Sequence, residues 1–349
     1  MNTTTIEWAE KTWNPVTGCS PISEGCENCY AKRMAQRLRG RCGYPEDDPF
    51  KVTRHDNRLL QPLKLRKPSR IFVCSMGDLF HEDVPNDYID QVFGVMTHVS
   101  VEHHTFLILT KRPERMRRYI SSLDCQDWGL PRGNIWLGVT AENQARADER
   151  IPILLQIPAA VRFVSVEPML GPITLGRYLG LPGIDRHDRC ANCGLEAEKA
   201  SGRIVGNACY DGEWTCSIEC DDLLNRLGCP LEYKPLDWVI CGGETGPGAR
   251  PMHPDWVRSL RDQCQAAGVP FLFKQWGEWR PLESADSCPL DKVGYWYQGW
   301  RPFSPLYSVG GHSFTIGISP WEAHMAMVGR RTAGRLLDGE IWDEYPEVR

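Results

Sequence analysis

NIWLGVTAENQARADERIPILLQIPAAVRFVSVEPML, residues 134–170, reads as one strand–helix–strand unit. Its two ends, NIWLGVTAE (134–142) and RFVSVEPML (162–170), are short apolar runs without strict alternation. Strands buried on both faces have that pattern. The segment between them, 143–156, has helical spacing. Two strands joined through a helix run parallel, and the crossover between them is right-handed.

The same unit recurs on both sides. RIFVCSMGD (70–78), TFLILTKRP (105–113), DWVICGGETG (237–246) and PFLFKQWGE (270–278) are further strand candidates, with helical segments at 87–100, 112–123 and 254–267. In HPDWVRSLRDQCQAAG, Asp255 is placed to cap a helix that stops at Gly268. With the segment before Cys19, the strands number seven. Repeated alternation of this kind predicts an α/β fold, a partial or near-complete (β/α) barrel.

In such barrels the loops leaving the C-terminal strand ends build the active site. Here those ends are polar for core-forming segments. They carry Ser75, Gly77 and Asp78; Thr110, Lys111 and Arg112; Thr140, Glu142 and Asn143; Ser165 and Glu167; Gly242, Gly243 and Glu244; then Lys274, Gln275 and Trp276. Six polar ends in succession predict one lined mouth.

A second signal precedes the strands, in TGCSPISEGCENCYAKRMAQRL (17–38), where Cys19, Cys26 and Cys29 stand six and two residues apart just before a helical pattern. Three thiolates from one loop can hold three irons of a [4Fe-4S] cluster and leave the fourth open to a ligand. The same residues can also be three of four zinc ligands, or packed thiols without a role. The next cysteine is Cys42 and the first histidine is His55, so a fourth local zinc ligand is not near in sequence.

The strand–helix pattern breaks between 183 and 232. There C-x2-C at Cys190 and Cys193 is followed, after 22 residues, by C-x3-C at Cys216 and Cys220. Paired ligands at such spacings predict a small treble-clef-like zinc module whose folding depends on the metal, with Cys209 able to replace one ligand. The expected organisation is thus a barrel formed by 1–182 and 233–349 with a zinc-binding insertion at 183–232. Singly placed cysteines, among them Cys74, Cys125, Cys241, Cys264 and Cys288, read as packing residues.

The chain has 349 residues and a formal net charge of −5, so it is not a generally basic nucleic-acid binder. Contacts with phosphates would have to come from local patches, KRPERMRR (111–118) and GRRTAGR (329–335), each of which is also compatible with a solvated helix face. Fifteen cysteines, an odd number, without a signal peptide, point to a reducing cytoplasm and metal ligation. No apolar run approaches the ~20 residues that span a bilayer, so no membrane partner is expected. The tail from 279, with GYWYQGWRPF, is aromatic and shows no clean period.

Taken together, WNPVTGC, GCENCYA, FVCSMGDLFH, LILTKRP, WLGVTAEN, RFVSVEPMLGPI, DWVICGGETGPGARPM and VGRRTAGRLLDG resemble a family of phage and prophage proteins with a radical-SAM-like three-cysteine motif. The resemblance covers nearly the whole chain outside 183–232. It implies a barrel of the radical-SAM type, with Cys19, Cys26 and Cys29 as ligands of a [4Fe-4S] cluster whose open iron takes S-adenosylmethionine. It further implies reductive cleavage of that cofactor to a 5′-deoxyadenosyl radical, which needs an electron donor. Ser75 to Asp78 is similar in place to the methionine-binding turn of those enzymes, and a carboxylate there would bond the cofactor's ammonium group. Gly242, Gly243 and Glu244 are a further cofactor contact, or alternatively a tight strand-to-loop turn. The chain departs from the radical-SAM pattern in its longer first spacing and in Asn28, which stands where an aromatic residue usually precedes the last cysteine.

The functional expectation is an iron–sulfur enzyme acting on a nucleotide or nucleic acid, with Lys111, Glu167 and Lys274 at the reaction site and with a protein partner. Two alternatives remain open on sequence. One is a zinc-dependent nucleic-acid-binding or adaptor protein without catalysis. The other is a barrel enzyme using Glu167 with Lys111 or Lys274 as acid and base.

Overall fold

The computed structural model describes residues 1–122, 130–181, 235–282, 293–296, 300–302 and 324–347. Its centre is one eight-stranded sheet. Strand β1 (Asn2–Thr3) pairs antiparallel with β2 (Lys11–Trp13), and a two-stranded ribbon of β3 (Val16–Thr17) and β4 (Thr53–Arg54) stands apart. From β2 the sheet continues through β5 (Arg70–Val73), β6 (Thr105–Thr110), β7 (Ile135–Thr140), β8 (Val161–Val166), β9 (Trp238–Gly242) and β10 (Phe271–Gln275), every neighbouring pair parallel.

The spatial order of these seven parallel strands is their order in the chain. Right-handed crossovers that always advance in one direction put all the helices on one face, and the sheet curls around the other. Helices α1 (Tyr30–Arg37), α2 (Asn86–Met96), α3 (Pro113–Ser122), α4 (Gln144–Leu155) and α5 (Pro254–Ala267) lie between the strands in sequence. The four from α2 onward bury Ile89, Phe93, Met116, Ile120, Ile151, Leu154, Val257 and Leu260 in one core with Ile71, Val73, Phe106, Ile108, Leu137, Val164, Val239 and Phe273 of the strands.

Alternate strand residues form a separate inner core of Phe72, Leu107, Trp136, Phe163, Trp238, Ile240 and Leu272, plugged by Trp8. The Trp8 ring lies 4.5 Å from Phe72, and Trp136 meets Trp238 edge-on at 6.0 Å. The two cores account for the continuous apolar runs: each strand feeds both. They also fix the polarity of the half-barrel. Aromatic rings fill its inner face low down, while Thr140, Ser165, Glu167, Gly242 and Lys274 follow in the same register nearer the C-terminal strand ends.

The alternation of strand and helix thus holds, as do the element positions. Three details differ from expectation. The sheet has eight strands because Asn2–Thr3 adds an antiparallel edge. Helix α5 is capped by His253, whose Nδ1 accepts from the Asp255 amide at 3.1 Å, and not by the Asp255 side chain; Gly268 ends it in the left-handed conformation, φ 63°. The aromatic tail contributes to a second, antiparallel sheet of β11 (Trp279–Pro281), β12 (Val293–Trp296), β13 (Trp300–Pro302) and β14 (His324–Met327), ordered β11-β14-β12-β13. The zinc insertion, with Cys190, Cys193, Cys209, Cys216 and Cys220, lies outside the described residues. Among the described residues no helix is long and apolar enough to cross a membrane.

Candidate active site

The cysteine segment lies across the C-terminal ends of the parallel strands and is tied to four of them. It leaves β3 through Gly18, whose amide donates to the Met76 carbonyl at 2.9 Å and which bridges Gly77, just beyond β5. The Cys19 amide donates to Phe50 O at 3.1 Å. Cys26 ends a single 3-10 turn, Glu24–Cys26, and Cys29 immediately precedes α1. All three thiols are free and partly exposed, whereas Cys74, Cys241 and Cys264 are buried in the core.

The first tie is Arg112, at the end of β6. Its buried guanidinium donates to Cys19 Sγ at 3.3 Å, to Ser20 O at 3.1 Å and to Ser20 Oγ at 2.9 Å, while pairing with Asp78 and Glu82. His81 supports the same residue from the other side, Nε2 to Ser20 Oγ, 2.7 Å. Its Nδ1 accepts from the Asp83 amide, which leaves Nε2 as the protonated donor. Burial, and then Asp78, push the Cys19 thiol up to about 11, against the opposing pull of Arg112. A metal would therefore have to displace a proton at this site.

The second tie is Glu142, at the end of β7 and fully buried. One carboxylate oxygen accepts from the Ser23 hydroxyl and, at 3.2 Å, from the Gly25 amide; the other accepts from Arg150 of α4 at 2.9 Å. Gly25 lets the segment come this close, since a Cβ would stand 2.7 Å from the Glu142 oxygen and push the carboxylate aside. The third tie runs to the loop after β9: the Asn28 amide donates to Glu244 at 3.0 Å and to Gly248 O at 2.9 Å. Arg250 joins Glu244, Glu27 and the Glu24 carbonyl. Burial opposes ionisation of Glu244, but the bonds from Arg250 and Asn28 outweigh it and hold the carboxyl below its usual range. Finally the Tyr30 hydroxyl donates to Ser75 O at the end of β5.

The candidate residues named from sequence fall into two groups. Glu167 and Lys274 come together on the inner face of the mouth, Nζ to Oε1 3.2 Å, with Ser165 Oγ 3.4 Å from the other carboxylate oxygen. Gly242 lies against this pair, its missing Cβ displaced by Glu167 Oε1 at 2.6 Å. Asp78, Glu244 and Gly243 are instead built into the scaffold. Asp78 accepts from the Phe80 amide, the Thr110 hydroxyl, the Lys111 amide and Arg112 at 2.8–3.3 Å, which leaves it little capacity for an ammonium group. Gly243 packs against the Trp276 carbonyl, as a tight strand-to-loop turn requires. Lys111 is half-buried, and Ser75 Oγ donates to Asn14 Oδ1 at 3.2 Å.

The residues that hold the loop, Arg112, Glu142, Asn28 and Arg250, carry no mark of that task in the sequence. Arg112 and Glu142 were visible only as polar strand ends, and their partners are 93 and 117–119 residues away.

Among the described residues no three His, Cys, Asp or Glu side chains converge on one point that could hold a single metal ion. An iron–sulfur cube distributes its thiolates over separate irons and does not require such convergence. The donor set, three free thiols on one anchored loop with an arginine N–H directed at one sulfur, fits the cluster.

A family model described as "Protein of unknown function (DUF5131)" matches residues 3–346. No curated protein matches the chain. Among solved structures, spore photoproduct lyase complexed with dinucleoside spore photoproduct is similar over 75% of this chain, with 12% identity and a TM-score of 0.36. The aligned region spans 62% of that protein's length.

Proposed function

This chain belongs to the DUF5131 family, and from the geometry of its cysteine segment we propose that it is an iron–sulfur enzyme of the radical-SAM type acting on a nucleotide or nucleic acid. The observation that carries the proposal is the placement of Cys19, Cys26 and Cys29 on one segment strapped over the C-terminal ends of parallel strands, with a polar inner face beneath. In this reading the three cysteines hold a [4Fe-4S] cluster. Such a cluster would bind S-adenosylmethionine and would supply the electron for reductive cleavage of its sulfonium.

The residues of the chain then divide by task. Arg112, Glu142 and Asn28 hold the cysteine segment still. Asp78 is saturated by its own partners, and Gly242, beside Glu167 and Lys274, keeps the mouth open for the cofactor. Lys274 and Glu167, a pair that a polar ligand can enter by exchanging one partner for another, face the substrate together with Lys111. The aromatic plug around Trp8 keeps water from the lower half of the barrel.

An anionic substrate is supported by helix α1 and the turn after it, which leave Cys29 with Lys32, Arg37, Arg39 and Arg41 exposed and no acidic residue among them. A one-electron donor, and with it a partner protein, belong to the same proposal. The structural zinc module remains a proposal for 183–232.

The experiment is a turnover assay without substrate. Anaerobically reconstituted, reduced protein incubated with S-adenosylmethionine is expected to release 5′-deoxyadenosine and methionine together, slowly and in equal amounts. Absence of both, with the cluster intact and reduced, would contradict the radical-SAM assignment and leave an iron–sulfur protein of other chemistry.

A further inference from the structure

Arg112 is buried, with its side chain 4% exposed, and each of its five N–H groups has an acceptor. Nε donates to Glu82 at 3.0 Å. Nη1 donates to Asp78 Oδ2 and to Cys19 Sγ, both at 3.3 Å. Nη2 donates to Ser20 O at 3.1 Å and to Ser20 Oγ at 2.9 Å. A lysine has one point of charge and three donors, and cannot reproduce this planar fork. The arginine therefore does more than balance charge: it directs one N–H at one sulfur and fixes the main chain of the next residue.

Arg112 is itself held rigidly. Its main-chain amide donates to the Thr110 hydroxyl at 2.9 Å, and that hydroxyl donates to Asp78, so β5, β6 and the guanidinium form one hydrogen-bonded unit. Among the described cysteines at the mouth, Cys19 is the one with a cationic N–H on its sulfur. Cys26 has only the Ser23 hydroxyl, at 3.8 Å. The three thiols are thus electrostatically unequal before any metal binds.

We propose that Arg112 is the positioning residue that sets the reduction potential of the cluster, by hydrogen-bonding the Cys19 sulfur. The inference rests on the iron–sulfur reading above. Reduction adds one electron, taken from an external one-electron donor, and so one negative charge; no bond is made or broken in that step. A directed N–H and a buried positive charge beside a ligand sulfur stabilise the reduced state more than the oxidised one and raise the potential. The buried Asp78 tempers this effect, while the exposed Glu82, its charge screened by solvent, serves to keep the guanidinium oriented.

The test is a dye-mediated redox titration, followed by EPR, of wild type, Arg112→Gln, Arg112→Lys and Glu82→Gln, each with iron and acid-labile sulfide measured. Both Arg112 variants are expected to titrate at more negative potential, Gln further than Lys. Glu82→Gln, which removes a charge 64% exposed, keeps an amide oxygen as acceptor and leaves the sulfur contact in place, is expected to stay near wild type. An Arg112 variant with a full cluster and an unchanged potential would overturn the proposal. Loss of the cluster from both Arg112 variants would overturn it too, because Arg112 would then be a brace of the loop and nothing more. A wild-type protein that takes up no cluster contradicts the underlying functional reading instead, and is told apart from the other outcomes by its iron content.

Discussion

Replacing any one of Cys19, Cys26 and Cys29 by alanine is expected to remove most of the iron and sulfide from the protein while leaving it folded. The three residues lie outside the eight-stranded sheet and are partly exposed, so the lost packing is small compared with that of a core substitution. The metal, in contrast, loses one of only three protein ligands, and a cube anchored by two thiolates has two irons open to solvent and chelators. Cys42→Ala is the control, since that thiol is exposed and stands beyond α1. Iron and sulfide per chain, with circular dichroism for the fold, make the measurement. Unchanged iron in all three variants would remove the cluster assignment.

Glu142→Ala is expected to be the most destabilising single change at the site. The carboxylate is fully buried, and its partner Arg150 is 1% exposed with Nε lacking any acceptor. Removing one member of such a pair strands the other charge and costs about 3–5 kcal/mol. It also releases Ser23 and Gly25, so the cysteine segment loses its tie to β7. The two effects separate in the double variant Glu142→Leu, Arg150→Met. Replacing both charges by apolar side chains recovers most of the stability, but the segment remains untied and iron uptake stays low. Chemical denaturation of the metal-free proteins, compared with iron content after reconstitution, distinguishes them. A double variant that regains both would show that Glu142 acts on the fold alone.

Much of the fold is legible in the sequence because local pattern and global topology agree. Each run such as TFLILT has to satisfy two cores at once, and the helices between the runs leave little choice but parallel pairing. The antiparallel edge Asn2–Thr3 was not legible, since two exposed residues carry no pattern. His253 as a cap was hidden for another reason: a histidine nitrogen can replace the usual carboxylate or hydroxyl acceptor, and only geometry shows that it does.

At the site the separation is sharper. The cysteine spacing and the polar strand ends mark where chemistry gathers, yet they do not say which polar residue serves the ligand and which serves the scaffold. Asp78 and Glu244 look in sequence like free carboxylates at strand ends. In the fold both are saturated by arginines, Asp78 by Arg112 of the next strand end and Glu244 by Arg250 six residues on in its own loop. Their task is set by contacts such as Arg112 to Cys19, across 93 residues, which no local window contains. Glu167 and Lys274, 107 residues apart, come together only because β8 and β10 flank β9 in the sheet.

The most direct test of the central claim, that the cysteine segment holds a cluster with one open iron, is EPR of the anaerobically reconstituted, reduced protein with and without S-adenosylmethionine. The account predicts a reduced [4Fe-4S] signal that changes in g values when the cofactor is added, and that is lost in Cys19→Ala, Cys26→Ala and Cys29→Ala. A colourless protein with no iron signal, or a cluster signal indifferent to saturating S-adenosylmethionine, would contradict it.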